Sequence, residues 1–310
     1  MFSFLTRPNF PKAAIGLEKE AVTALALERD DRTSHFTVRQ AASVELPRDL
    51  LVPSFTEKNI ANPAELRVLL EEAVATAGML DQKRWSVSLP SNSARASIIT
   101  IETEPASRAE AEEILDWKCE QAFGVPAGEM RVNRVRLSPD GERRVRYFAT
   151  AVKLAVIDEY ETVFEDMGWK AGLILPRAVG ESNWLMSGGS DSDSLLISSQ
   201  SDGFTALMLK GSEPIVVRTI SCTVDELEDE IYRLLMYYHD RVAGGERELK
   251  NVLLVGEEFD RDKVREISNE AFGRPLTVLT AADIGLDIPA GGLMFDEIAG
   301  PAGLAALAWN

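Results

Sequence analysis

The 310-residue chain carries 50 acidic against 33 basic residues, a net charge of −17, which excludes the dense Lys and Arg that neutralising a nucleic-acid backbone requires. With 45% hydrophobic and 27% charged residues the composition is globular rather than disordered, and the length suits about two domains of roughly 150 residues each. The opening residues stop being apolar at Arg7 and Pro8, so they do not read as a secretory signal. No window reaches the roughly 18 apolar residues of a membrane span, so a soluble chain without a transmembrane segment is expected.

Two cysteines, Cys119 and Cys222, and two histidines, His35 and His239, stand in unrelated segments without metal-ligand spacing. No metal site is expected, Cys119 reads as a small buried hydrophobe, and a reducing, cytoplasmic setting fits.

In chain order, residues 13–16 and 21–27 form two apolar strands around the polar turn Leu17-Glu-Lys-Glu20, and residues 35–45 alternate as a third strand. From Asn62-Pro63 the apolar spacing changes to three and four, predicting a helix capped by Asn62 and stopped at Gly78. Strands follow at 85–90 and 94–101, then a helix over 108–123 that ends at Gly124. Ser138-Pro-Asp-Gly141 joins strands 132–137 and 145–153 into a hairpin. This hairpin concentrates arginines, among them Arg134, Arg144 and Arg146. They read either as a solvated face that discourages edge aggregation or as a docking surface for an acidic partner or lipid headgroups. A helix over 156–167 and a strand over 171–175 precede the apolar-free stretch Ser187-Gly-Gly-Ser-Asp-Ser-Asp-Ser194, where the main boundary is placed.

The second half opens as the first does. Val22-Thr-Ala-Leu-Ala-Leu27 and Phe204-Thr-Ala-Leu-Met-Leu209 share four of six residues, and each follows an apolar strand and a polar turn. Two related halves, 1–186 and 187–310, are therefore expected. The remainder alternates strand 213–220, helix 223–239 with Thr223 and Glu226 as a capping box, strand 251–255, helix 261–272, strand 276–279 and a buried final helix 295–309.

No phosphate loop, dinucleotide fingerprint or nucleophile elbow is present, and two isolated histidines do not support a Ser-His-Asp triad. The acidic run at 225–230 reads as a solvated helix face, so no catalytic residue is assigned.

Ile15-Gly-Leu-Glu18, Val44-Glu-Leu-Pro47, Val87-Ser-Leu-Pro-Ser91, Ala149-Thr-Ala-Val-Lys153, Met167-Gly-Trp169, Val217-Arg-Thr-Ile220, the helix from Glu230 to Tyr238, and Leu253-Leu-Val-Gly256 with Ala302-Gly-Leu-Ala305 stand in an order that resembles a family. It is the PilM-like proteins of type IV pilus assembly, relatives of FtsA and of the cytoplasmic part of type II secretion GspL proteins. The resemblance covers nearly the whole chain. It implies an α/β, actin-like (ribonuclease H-like) fold of two related halves, with a small αβ subdomain inserted over about 91–164. Where the family has Asp-x-Gly-Ser in its first phosphate turn, this chain has Glu18-Lys-Glu20; Ser198-Ser-Gln200 replaces the second Asp-x-Gly, and Gly256-Glu257 replaces a Gly-Gly. The helical insert expected between Ile220 and Asp225 is missing.

These departures imply a pseudo-ATPase with neither cofactor nor metal, and any nucleotide still bound would fall to Gly16, Ser198, Ser201 and Gly256. The resemblance further implies a scaffold at the cytoplasmic side of the inner membrane that seats the N-terminal tail of a PilN-like protein beside Leu89, Pro90, Arg95, Tyr147 and Phe148. Other platform proteins or the assembly ATPase are further partners. The alternatives are an ATP-dependent switch of the same fold, a type II secretion component, and an enzyme with an unrecognised site.

Overall fold

Ala13 to Leu17 has no polar side chain, so the strand it forms, β1 (Ala13–Leu17), is buried on both faces. Ala13, Ile15 and Leu17 face one core while Ala14 and Gly16 face the other way. The computed structural model describes residues 9–102, 105–186, 192–242 and 248–309. The first half continues with β2 (Ala21–Arg29), β3 (Phe36–Glu45), α1 (Pro63–Thr76) and β4 (Arg84–Leu89). Next come β5 (Arg95–Ile101), α2 (Arg108–Phe123), β6 (Met130–Leu137), β7 (Val145–Lys153), α3 (Leu154–Asp166), β8 (Lys170–Pro176) and α4 (Arg177–Met186). The second half contains β9 (Asp193–Gln200), β10 (Gly203–Lys210), β11 (Glu213–Ser221), α5 (Leu227–Tyr237), β12 (Leu249–Val255), α6 (Arg261–Phe272), β13 (Thr277–Val278), β14 (Leu286–Asp287) and α7 (Phe295–Ala306).

The expected repeat is visible in the sheets. One runs β14-β3-β2-β1-β4-β8 and the other β11-β10-β9-β12-β13, so each has an antiparallel meander of three strands with two further strands added in parallel beside its first. The matching hexapeptides fall on β2 and β10, the middle strands of the two meanders. From Ser221 the chain reaches α5 through a single short turn, so the second half lacks a helical insert at that point.

A third sheet, β5-β7-β6, packs on α2 through Ile99, Leu115, Cys119 and Phe123 and forms the inserted subdomain. Against an expected insert at about 91–164, these elements span 95–153. The stretch ends at Lys153, because α3 turns Val156, Ile157, Tyr160 and Phe164 into the core of the six-stranded sheet.

Between the two large sheets lie α4 and α7. The residues of α4 carry no strong helical signature in the sequence. Gly180 and Gly303 let the two helices cross closely: a Cβ at Gly303 would stand 1.9 Å from the Gly180 carbonyl oxygen. Their apolar faces join Leu25, Leu196, Leu207 and Leu253 in one core shared by both halves. Of the expected boundary stretch, 187–194, residues 187–191 lie outside the described residues and Asp193 and Ser194 already belong to β9. After it the chain does not stay with the second sheet, since β14 pairs with β3 and α7 packs against β1, β2 and β4.

Candidate functional site: a groove between sheet edges

Sequence placed nucleotide contacts at Gly16, Ser198, Ser201 and Gly256, and the structure does not bring these four onto one surface. Gly16 faces α7, where a Cβ would approach Pro301 Cγ to 2.9 Å, so its bareness serves helix packing. Ser198 is 1% exposed and its hydroxyl has no partner among the described residues. Ser201, on the β9–β10 turn, accepts a hydrogen bond from Asn92 Nδ2 at 3.1 Å. Gly256 has φ +139°, and its N–H donates to the Asp296 carboxylate at 2.8 Å. A backbone donor that an incoming anion would need is therefore occupied by a carboxylate of the same chain.

The turn between β1 and β2 closes on itself through Glu18 N–H to Ala21 carbonyl, 2.9 Å. The half-buried Glu18 carboxylate lies 3.5 Å from Arg177, the first residue of α4, whose Nε donates to Glu181 at 2.6 Å. Arg177 also donates to the Asp296 carbonyl at 3.2 Å. Burial pushes the Glu18 carboxyl up to about 7; the Arg177 charge opposes that shift and Glu181 adds to it. Two carboxylates thus share one guanidinium. In front of this turn a cleft of about 710 Å³ separates the halves, with Glu20, Asp202, Glu226 and Glu258 on its walls against Lys19. Such a surface disfavours a polyphosphate. Among the described residues no group of three or more His, Cys, Asp or Glu is arranged to hold a metal ion.

A second concavity, about 240 Å³, lies between the inserted subdomain and the first sheet. Among the described residues β8 pairs only with β4, and β6 only with β7, so each presents an unpaired edge. Ala171 to Pro176 of β8 and Arg131 and Asn133 of β6 line the same groove, floored by Leu89, Ala94, Val152 and Ile157. Arg131 and Glu161 form a bidentate pair at 2.5 and 2.9 Å that ties β6 to α3 within it.

Of the five residues predicted for a partner groove, Leu89 lines it. Pro90 is buried and begins a short turn. Arg95 faces a different cavity, its guanidinium 4.3 Å from the Phe55 ring centroid and donating to the Phe123 carbonyl at 2.7 Å. Tyr147 packs toward α2 and Phe148 into the core shared by the halves. β7 is the central strand of its sheet, so both its edges are paired, and the free edge belongs to β6. An apolar run, Leu173-Ile-Leu-Pro176, closed by a residue without N–H was the available signal for an edge strand.

The three arginines of the predicted basic patch differ in their partners. Arg134 pairs with Glu112 and Asp116, and Arg144 with Asp140 at 2.7 Å and Glu142 at 3.1 Å. Arg146 instead donates Nε and Nη2 to the Ser138 carbonyl at 3.1 and 3.0 Å and has no carboxylate partner among the described residues.

No family model matches the sequence, and no curated protein matches it. Solved structures do. A chain of the PilM-PilN type IV pilus biogenesis complex aligns over 97% of this chain and 98% of its own, at TM-score 0.73 and 14% identity. A protein of actin-like ATPase fold from Bacteroides thetaiotaomicron aligns over 100% and 99%, at TM-score 0.49 and 12% identity. The cytoplasmic domain of EpsL, an inner-membrane component of the type II secretion system of Vibrio cholerae, aligns over 96% and 93%, at 0.48 and 11%. No helix among the described residues is long and apolar enough to cross a membrane. The chain therefore has the fold of the aligned chain of the PilM-PilN complex, an α/β fold of two related sheets.

Proposed function

We propose that this chain is a non-hydrolysing adaptor of a type IV pilus or related secretion platform at the cytoplasmic face of the inner membrane, and that the groove between β8 and β6 seats the extended cytoplasmic tail of a PilN-like membrane protein. The observation that carries the reading is the pair of unpaired strand edges lining one apolar groove. An extended segment laid there gains backbone hydrogen bonds from either edge and buries alternate side chains on Leu89, Val152 and Ile174. The likeness to a chain of the PilM-PilN complex supports a tail of that class as the occupant. Lack of hydrolysis rests on the four carboxylates around the interlobe cleft and on the Gly256 N–H being taken by Asp296.

The test is a calorimetric titration with a synthetic peptide of the PilN-like tail encoded in the same genome. Binding is expected, and Asn133→Arg and Leu173→Arg, which place bulk and charge in the groove, should each weaken it about tenfold or more, a loss of about 1.4 kcal/mol. Absence of binding, or variants that bind as wild type, removes this assignment. Mg-ATP should give neither heat nor a thermal shift; a ligand present at about 100 times its Kd stabilises by about 2.7 kcal/mol, so real binding would be plain.

A further inference from the structure

At the other end of β6 from Arg131, the hairpin loop after Leu137 approaches the β10–β11 turn and the end of α5, and the three enclose a concave surface of about 870 Å³. Three cations line it: Arg146 from β7, Lys210 at the end of β10 and Arg241 beyond α5. They come from three elements far apart in sequence, and none has an ion-pair partner among the described residues. Two carboxylates share the surface. Asp140 is neutralised by Arg144 at 2.7 Å. Glu213 accepts the Ser138 N–H and hydroxyl, at 3.1 and 2.7 Å, which holds the loop against the second half and leaves one acid facing three cations. The wall between the charges is partly apolar: Ile215 and Val216 lie beside Tyr237, whose ring is fixed by the Arg218 guanidinium 3.8 Å from its centroid.

We infer that this concavity is a docking site for an acidic segment of a partner protein that also carries apolar side chains. The charge argues for an anionic ligand: on a chain of net charge −17 a cluster of uncompensated cations is a local inversion of sign, and complementarity of this kind steers association and fixes register. Shape and lining argue for a peptide. The surface is a concavity walled by segments of both halves, and at about 870 Å³ it is too large for a single phosphate to fill. The half-buried Ile215, Val216 and Tyr237 supply burial for alternate side chains of a segment whose carboxylates meet the three cations. This surface lies away from the β8–β6 groove, so the two can be occupied together.

The experiment uses the full chain and a fluorescein-labelled peptide of alternating Glu and Leu, followed by anisotropy, with a Lys and Leu peptide as its counterpart. The Glu peptide should bind, lose affinity as salt rises, and weaken about tenfold or more in the triple variant R146Q/K210Q/R241Q, while the Lys peptide should not bind at this surface. A control triple, R32Q/R48Q/K58Q, removes the same charge elsewhere and should leave binding intact; equal weakening there means net charge alone is being read and overturns the proposal. So does absence of Glu-peptide binding. Pelleting with phosphatidylserine vesicles, but not phosphatidylcholine vesicles, that is lost only in the first triple assigns the cations to a membrane and overturns it as well. The single variants K210E and R241E, both at exposed positions, reproduce the loss if the triple variant folds poorly.

Discussion

Arg177, with 13% of its side chain exposed, stands between the half-buried Glu18 and the wholly buried Glu181. Removing the guanidinium while leaving both acids strands charge in a low-dielectric site, which costs about 3–5 kcal/mol when a buried pair is broken. Arg177→Met should therefore lower the urea midpoint markedly with little change in slope, whereas Glu181→Gln, which keeps a hydrogen-bonding partner for Nε, should cost less. A second expectation follows from Glu18. Its carboxyl rises from an ordinary value of 4.5 to about 7 in the folded chain, chiefly through burial. The folded state then holds this proton more tightly than the unfolded state, so the contribution is fully present below about 4.5 and is lost as pH rises through about 7. Stability curves of wild type and Glu18→Gln, measured across that window, should differ in slope, the wild type declining more steeply; parallel curves would show that the carboxyl titrates normally.

At the scale of elements, the crossing of α4 and α7 is the tightest constraint in the fold. A Cβ at Gly303 meets backbone, the Gly180 carbonyl oxygen at 1.9 Å, and backbone does not yield as a side-chain tip does. Gly303→Ala should destabilise by about 3 kcal/mol, at the upper end of overpacking costs. Gly124 gives the contrast: it ends α2 at φ +73° with open space around it, so Gly124→Ala should cost about 1 kcal/mol from conformation alone. Chemical denaturation of the pair separates the two causes; similar losses would mean that the helices part to admit the methyl group. This contrast also marks what sequence discloses. Gly124 was legible as a helix stop because α2 carries periodic apolar residues up to it. Gly180 was not, because Arg177-Ala-Val-Gly-Glu-Ser-Asn-Trp mixes poor helix formers with polar residues that are buried only through tertiary packing against α7 and the two sheets. In the same way the strands of the inserted subdomain were readable from alternation, but the position of β7 between β5 and β6 depends on long-range pairing. Tyr147 and Phe148, expected beside a partner tail, lie on that central strand, whose two edges are paired. The replaced residues of the nucleotide turns were visible directly, whereas the roles of Arg177 and Asp296 arise from residues over a hundred positions apart meeting in space.

For the molecule as a whole, the repeated halves pose the question of whether they behave as two units. Each large sheet has a core of its own on its outer face: α1 and α3 cover the first, α5 and α6 the second. The inner faces do not have separate cores. Ala14 and Leu25 from the first sheet, Leu196 and Leu253 from the second, and Ile298, Ala302 and Ala305 from α7 belong to one cluster. Neither sheet can keep that face out of water without α4 and α7, and α7 reaches its place only after the chain has returned through β14 to the first sheet. Opening one half therefore exposes apolar surface on the other, at roughly 25 cal/mol for each Å² uncovered, which couples their unfolding. Calorimetry of the full chain should give one transition, with calorimetric and van't Hoff enthalpies in agreement. Leu304 is fully buried in α7, and Leu304→Ala, which costs about 2–5 kcal/mol for a core leucine, should move that single transition downward without dividing it. Two resolved transitions, of which Leu304→Ala shifts only one, would show that the halves fold independently and that the interlobe helices serve one of them alone.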